Sequence, residues 1–186
     1  MHAMDRASSA LVLVDYQGRL MPAIHDGVRV LAWAQRLAEI ARELAVPVLG
    51  TEQNPAKLGP NDEALRALCD TTLTKTHFDA CADGLVEALR ALPRAPRQIV
   101  VAGCEAHVCL LQTALGLRRA GFEVFVVEPA CGSRAAEDKA LAMARLRQAG
   151  AVIVSVEMVV FEWLHDCRDE AFRRVLPRLK SRADAA

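Results

Sequence analysis

The chain has 186 residues, 53% of them hydrophobic and 25% charged, which suits one globular domain with a sizeable core. Lys plus Arg and Asp plus Glu balance at 23 each, so the positive surplus that nucleic-acid or acidic-membrane binding requires is missing. No apolar run approaches a bilayer span, and the start Met1-His2-Ala3-Met4-Asp5-Arg6 lacks the layout of a signal peptide, so a cytoplasmic protein is expected.

In chain order, the first apolar run, Ser9–Val14, predicts a strand ending at Asp15. Residues 28–45 predict a helix, because Val30, Ala34, Leu37, Ala41 and Leu44 recur at spacings of three and four. A second strand covers 46–51, with Pro47 tolerable at its beginning. Residues 52–60 read as a loop broken by Pro55, Gly59 and Pro60, followed by a short helix at 61–68 and a short polar strand at 71–76. Asp83 is placed to cap a helix at 84–92, which Pro93 and Pro96 stop. Residues 98–102 are nearly all apolar and form the fourth strand, after which Gly103 turns into a helix at 105–119. Strands at 122–127 and 151–156 flank a helix at 135–148, and the tail from 158 to about 182 reads as helix interrupted near Pro177. Twice, at Leu117-Arg118-Arg119-Ala120-Gly121 and Leu146-Arg147-Gln148-Ala149-Gly150, a basic last turn ends in a glycine before a strand. The first seven or so residues look loosely held. Strands apolar on both faces that alternate with helices imply a parallel sheet covered on both sides. The fold class expected is therefore α/β: one three-layer α/β/α domain, residues 1–186, around a central six-stranded parallel sheet.

Ligands of open parallel sheets bind beyond the carboxyl ends of the strands. Asp15, Lys75 and Cys109 fall at or after three such ends, and a carboxylate, an ammonium and a thiol form a nucleophile constellation. Cys109 lies near a helix start, where exposed N–H groups and the positive dipole end lower a thiol's pKa, and Lys75 lowers it further. Asp15 would exchange protons as general acid–base, and the backbone N–H groups of Glu105 and Cys109 would receive an oxyanion. Taken singly, each residue has an ordinary explanation: packing for the cysteine, capping for the aspartate, a solvated strand end for the lysine. Cys104, His107 and Cys109 cluster, but at a spacing unlike the usual zinc pairs, and no glycine-rich phosphate loop opens a helix. No metal or other cofactor is expected. The six cysteines include no C-x-x-C pair and are expected to be free thiols.

The pieces Leu13-Val14-Asp15-Tyr16-Gln17, Lys75-Thr76-His77-Phe78 and Gly103-Cys104-Glu105-Ala106-His107-Val108-Cys109, followed by Gln112-Thr113-Ala114, resemble the isochorismatase-like hydrolases. That superfamily includes nicotinamidases, N-carbamoylsarcosine amidases and isochorismatases. The resemblance runs over residues 10–164 and is nearest to small isochorismatase-domain proteins of unassigned substrate, which share the Thr51-Glu52-Gln53 and Leu58-Gly59-Pro60 pieces. It implies Cys109 as nucleophile, Lys75 as stabiliser of the thiolate, Asp15 as base and acid, and a cis peptide between Cys104 and Glu105. It also implies a small-molecule substrate, here an amide or related acyl compound, and a homo-oligomer. Gln17, Gln53, Phe78 and His107 are candidate pocket residues. Nicotinamidases carry an Asp-x-His metal motif where this chain has Thr51-Glu52-Gln53, which argues against that metal and against nicotinamide. Two other readings stay open: a binding module that keeps the fold without turnover, and a redox protein using Cys104 and Cys109. The run Val159-Val160-Phe161-Glu162-Trp163-Leu164 suits either an interface or the core.

Overall fold

The structure, a computed structural model, describes residues 3–180. Six strands form one sheet: β1 (Ser9–Val14), β2 (Val48–Gln53), β3 (Thr71–Lys75), β4 (Gln98–Gly103), β5 (Glu123–Val127) and β6 (Val152–Val154). Their order is β3-β2-β1-β4-β5-β6 and every pairing is parallel. Every residue of β1 and of β4 is buried. Successive side chains of a strand point to opposite faces, so the helices cover the sheet on both sides. Those helices are α1 (Gly27–Glu43), α2 (Pro55–Leu58), α3 (Glu63–Ala67), α4 (Leu85–Arg90), α5 (Leu111–Arg119), α6 (Ala136–Gln148), α7 (Val156–Leu164) and α8 (Glu170–Lys180). The expected α/β/α architecture with a six-stranded parallel sheet is the one found.

The chain leaves β1 toward β2 on one side and returns to β4 on the other. The strand order therefore reverses between β1 and β4, and their carboxyl ends flank the crevice that such a reversal opens. Val14 pairs with Gly103 at that end. A Cβ on Gly103 would stand 2.5 Å from Val14 Cβ and 2.5 Å from its carbonyl oxygen, so only glycine lets the two strands close there.

Several sequence expectations need correction. The second strand begins at Val48 and runs on to Gln53, because β3 pairs with it through the Gln53–Lys75 register. Asp83 does not cap α4. It ends a 3-10 turn (Ala80–Asp83), its carboxylate accepts from the N–H groups of Thr76 and His77, and Gly84 enters α4 with φ 97°. The expected helix at 105–119 begins as a π-helical segment (Ala106–Leu110) before α5. The C-terminal break lies at residues 165–169 rather than at Pro177, which sits inside α8. His165 ends α7 with φ 57°, and the Asp169 carboxylate accepts from the Ala171 N–H at the start of α8. Residues 181–182, the expected end of that helix, lie outside the described residues.

From Met4 onward the N-terminal segment is held, not loose; residues 1–2 lie outside the described residues. Met4 is fully buried, its N–H donates to Glu162, and the Trp163 indole donates to Ser9 Oγ at 3.1 Å. Core packing claims Val159, Val160, Trp163 and Leu164. Phe161 is the exposed member of that run and meets Phe172 at 6.4 Å between ring centroids.

Candidate active site

Asp15 leaves β1 with φ 55°, a left-handed conformation uncommon for a residue with a side chain and concentrated at functional sites. It is completely buried. Lys75 is the last residue of β3, two strands away, and its long side chain reaches across β2 to place Nζ 2.7 Å from Asp15 Oδ2. The two side chains are 1% and 0% exposed, so the pair is buried from water. Beyond this ion pair, Oδ2 has no hydrogen-bond donor among the described residues. Oδ1 is occupied: the Thr51 hydroxyl donates to it at 2.7 Å.

Cys109 sits in the π-helical segment that follows β4 and is 6% exposed. Its thiol does not have the low pKa expected of a helix start. Burial pushes it up to about 12, the Asp15 charge adds to that rise, and the Lys75 ammonium opposes it. Two of the amide groups of that turn are already used, since the N–H groups of Val108 and Leu110 both donate to the Glu105 carbonyl. The upward shift favours the protonated thiol at neutral pH.

Gln53 stands between the lysine and the thiol. Its Oε1 accepts from Lys75 Nζ at 2.6 Å and lies 4.0 Å from Cys109 Sγ, while its Nε2 donates to the Thr76 carbonyl at 2.7 Å. Gln17, expected at the pocket wall, is instead a brace. It is fully buried, its Nε2 donates to the carbonyls of Gln53 and Gly59, and its Oε1 accepts from the Gln53 N–H. That spends both of its N–H hydrogens and one lone pair on backbone, much as another strand would. Phe78 is half exposed three residues beyond Lys75, and its carbonyl accepts from Thr113 Oγ1. His107 turns to Ser133 and Asp138: Nδ1 is 3.0 Å from Ser133 Oγ and Nε2 is 3.8 Å from Asp138 Oδ2.

The Cys104–Glu105 peptide bond is cis. Among the described residues the Glu105 N–H has no backbone carbonyl partner, and its carboxylate is tied to Arg134 Nε at 2.9 Å and to the Arg134 N–H. Cys104 is a fully buried core thiol whose pKa burial drives upward. All six cysteines are free.

Thr51, Glu52 and Gln53 each have other work than metal binding. Thr51 holds Asp15, Glu52 accepts from the Asn61 N–H and pairs with Arg66 at 3.3 Å, and Gln53 holds Lys75. Among the described residues no group of three or more His, Cys, Asp or Glu is placed to hold a metal ion. No helix is long and apolar enough to cross a membrane among those residues.

A separate cleft of about 340 Å³ opens between the start of α1, the turn after β5 and α6, lined by His25, Arg29, Ser133 and Lys139 among others. Asp15, Lys75 and Cys109 do not line it. Its two cations are paired with its own carboxylates, Arg29 with Asp26 and Lys139 with Glu128.

The doubly wound parallel sheet and the cluster at its switch point define an α/β protein centred on a buried carboxylate, ammonium and thiol. Comparison with known proteins is specific. A family model described as the isochorismatase domain matches residues 9–158. Isochorismatase domain-containing protein 2 of Xenopus laevis is 36% identical over 172 residues, covering 92% of this chain and 83% of its own. The solved structure of the MAR1 ribonuclease from Caenorhabditis elegans superposes with a TM-score of 0.91 at 28% identity, covering 98% of this chain and 94% of that one. YcaC from Pseudomonas aeruginosa, solved with hexane-2,5-diol and covalent acrylamide, superposes with a TM-score of 0.86 at 26% identity, covering 95% and 91%. The chain belongs to the isochorismatase family of hydrolases.

Thr51 is the residue of this site that the sequence reading passed over as an ordinary strand residue. The available signal was a hydroxyl at the carboxyl end of a buried strand beside the one that ends in Asp15.

Proposed function

We propose that the protein hydrolyses a C–N bond in a small amide, or a related acyl substrate, through a thioester on Cys109. The observation that carries this reading is the buried Asp15–Lys75 pair at 2.7 Å with the Cys109 thiol under the influence of both charges. In the first step the thiol proton passes to the Asp15 carboxylate as sulfur attacks the carbonyl carbon. The thiolate that develops is the species the Lys75 ammonium favours. The carbonyl oxygen takes up the electron pair and is met by the N–H groups of Glu105 and Cys109. The tetrahedral species collapses, the C–N bond breaks, and Asp15 returns the proton to the leaving amine. Water then adds to the thioester with its proton taken by Asp15, the carboxylic acid leaves, and the proton goes back to sulfur. Each turn restores a thiol, a carboxylate and an ammonium.

The choice of an amide is supported by Gln53, whose carboxamide already lies against Lys75 and the thiol. A substrate carboxamide entering the site would lie against the same lysine and thiol, with its carbonyl oxygen turned to the N–H groups of Glu105 and Cys109. Phe78 would form the apolar wall beside it, and His107, held by Ser133, would border the segment that bears the nucleophile. The relative solved with covalent acrylamide, an electrophile at its vinyl carbon, supports a nucleophile in that protein rather than the choice of an amide. A ribonuclease reading, which the name of the C. elegans relative raises, meets a formal charge of zero here and lacks the positive surplus for phosphate contacts.

The test is hydrolysis of a panel of small primary amides and carbamoyl compounds, followed by Cys109→Ala. Full turnover by that variant on any substrate found would end the nucleophile assignment. Cleavage of single-stranded RNA that survives Cys109→Ala would favour the other reading.

A further inference from the structure

We infer that Thr51 is a positioning residue that selects Asp15 Oδ2 as the atom receiving the Cys109 proton. The inference rests on the reading of Asp15 as the base and deepens it to a single atom. The two carboxylate oxygens are not equivalent. Oδ1 accepts the Thr51 hydroxyl hydrogen at 2.7 Å, with both residues completely buried. Oδ2 has Lys75 Nζ at 2.7 Å as an ion-pair partner and no hydrogen-bond donor among the described residues, so this buried oxygen keeps a lone pair to accept a proton. An unsatisfied buried acceptor is costly unless the site uses it. Here the incoming proton uses it.

Backbone geometry fixes the assignment. The Asp15 N–H donates to the Thr51 carbonyl at 3.2 Å, so the same residue grips Asp15 by main chain and by side chain. Asn61 in turn anchors that carbonyl, its Nδ2 donating at 2.9 Å. The carboxylate is thereby clamped with one edge toward β2 and the other toward the lysine. Moving the hydroxyl would free the carboxylate to turn about its last bond and present either oxygen.

The experiment is the pH dependence of Cys109 alkylation by iodoacetamide, resolved by mass spectrometry of the Cys109 peptide. This probe needs no knowledge of the natural substrate. In the wild-type protein the rate should climb through an acidic limb as Asp15 becomes able to accept the thiol proton. Thr51→Val keeps size and branching but removes the hydroxyl, and should move that limb upward by about one pH unit or more, the scale of one hydrogen bond to a charged group. Thr51→Ser keeps the hydroxyl and should restore the wild-type limb. An unmoved limb in Thr51→Val, or an equal shift in Thr51→Ser, overturns the inference. Asp15→Asn must abolish the limb. If the limb persists in that variant, the base assignment itself fails and the role of Thr51 falls with it.

Discussion

Replacing Lys75 by methionine should cost far more than the loss of a surface lysine. The change keeps the length of the stem and removes the ammonium, leaving the Asp15 carboxylate with the Thr51 hydroxyl as its donor at 0% exposure. Breaking a buried pair by removing one partner costs about 3–5 kcal/mol, because the remaining charge stays desolvated. For a chain of 186 residues each kcal/mol lowers Tm by about 2–4 °C, so a fall of roughly 6–20 °C is expected. The sign of the pH dependence follows from proton counts. In the variant the buried, unpaired carboxylate holds a proton more readily than it does in the unfolded chain, so the native state binds more protons, and stability relative to wild type rises as pH falls. The deficit should be largest near pH 7 and narrow toward pH 4. The assay is urea unfolding of Lys75→Met, Asp15→Asn and the double variant at several pH values. The double variant carries no stranded charge and should be less destabilised than the sum of the two single changes. A loss below about 1 kcal/mol, strict additivity, or a deficit that deepens on acidification would refute the reasoning.

The thiol offers an independent check. The Cys109 pKa is raised to about 12, first by burial and then by the Asp15 charge, with the Lys75 ammonium opposing the rise. Asp15→Asn should therefore move the high-pH midpoint of Cys109 alkylation downward while turnover is lost, and Lys75→Met should move it upward; identical midpoints in all three proteins would contradict the geometry. Gly103→Ala puts a Cβ 2.5 Å from Val14 and should destabilise the fold by about 1–3 kcal/mol in urea unfolding, whereas Gly84→Ala, with open space around it, should act only through its φ of 97°.

The sequence made the sheet legible where strands are buried on both faces. The β1 and β4 segments are unbroken apolar runs, so their carboxyl ends, and with them Asp15 and the Glu105–Cys109 region, could be placed from pattern alone. It was least informative at β3, an edge strand whose first four residues are partly or fully exposed and polar at Thr71, Thr72 and Thr74. The π-helical segment was invisible because its composition is that of an α-helix. The thiol's protonation was misjudged for a physical reason: a helix start is a weak influence beside burial and a carboxylate. Gln17 misled because a polar residue after a strand reads the same whether its partner is a ligand or the backbone. Thr51 was missed because a β-branched residue in a strand needs no further explanation.

The strand order has a consequence for how competence is acquired. Asp15, Lys75 and Cys109 follow three strands that are not consecutive in the sheet, and β2 lies between two of them. Sixty residues of chain separate the aspartate from the lysine, and the thiol comes 34 residues later still. No local fragment, hairpin or isolated crossover can assemble the charge pair, so the three-residue cluster exists only once β3, β2, β1 and β4 are all in register. A nascent or partly unfolded chain thus carries the thiol without the charge pair, and loss of the Asp15–Lys75 pair under heat or urea should coincide with loss of the sheet itself.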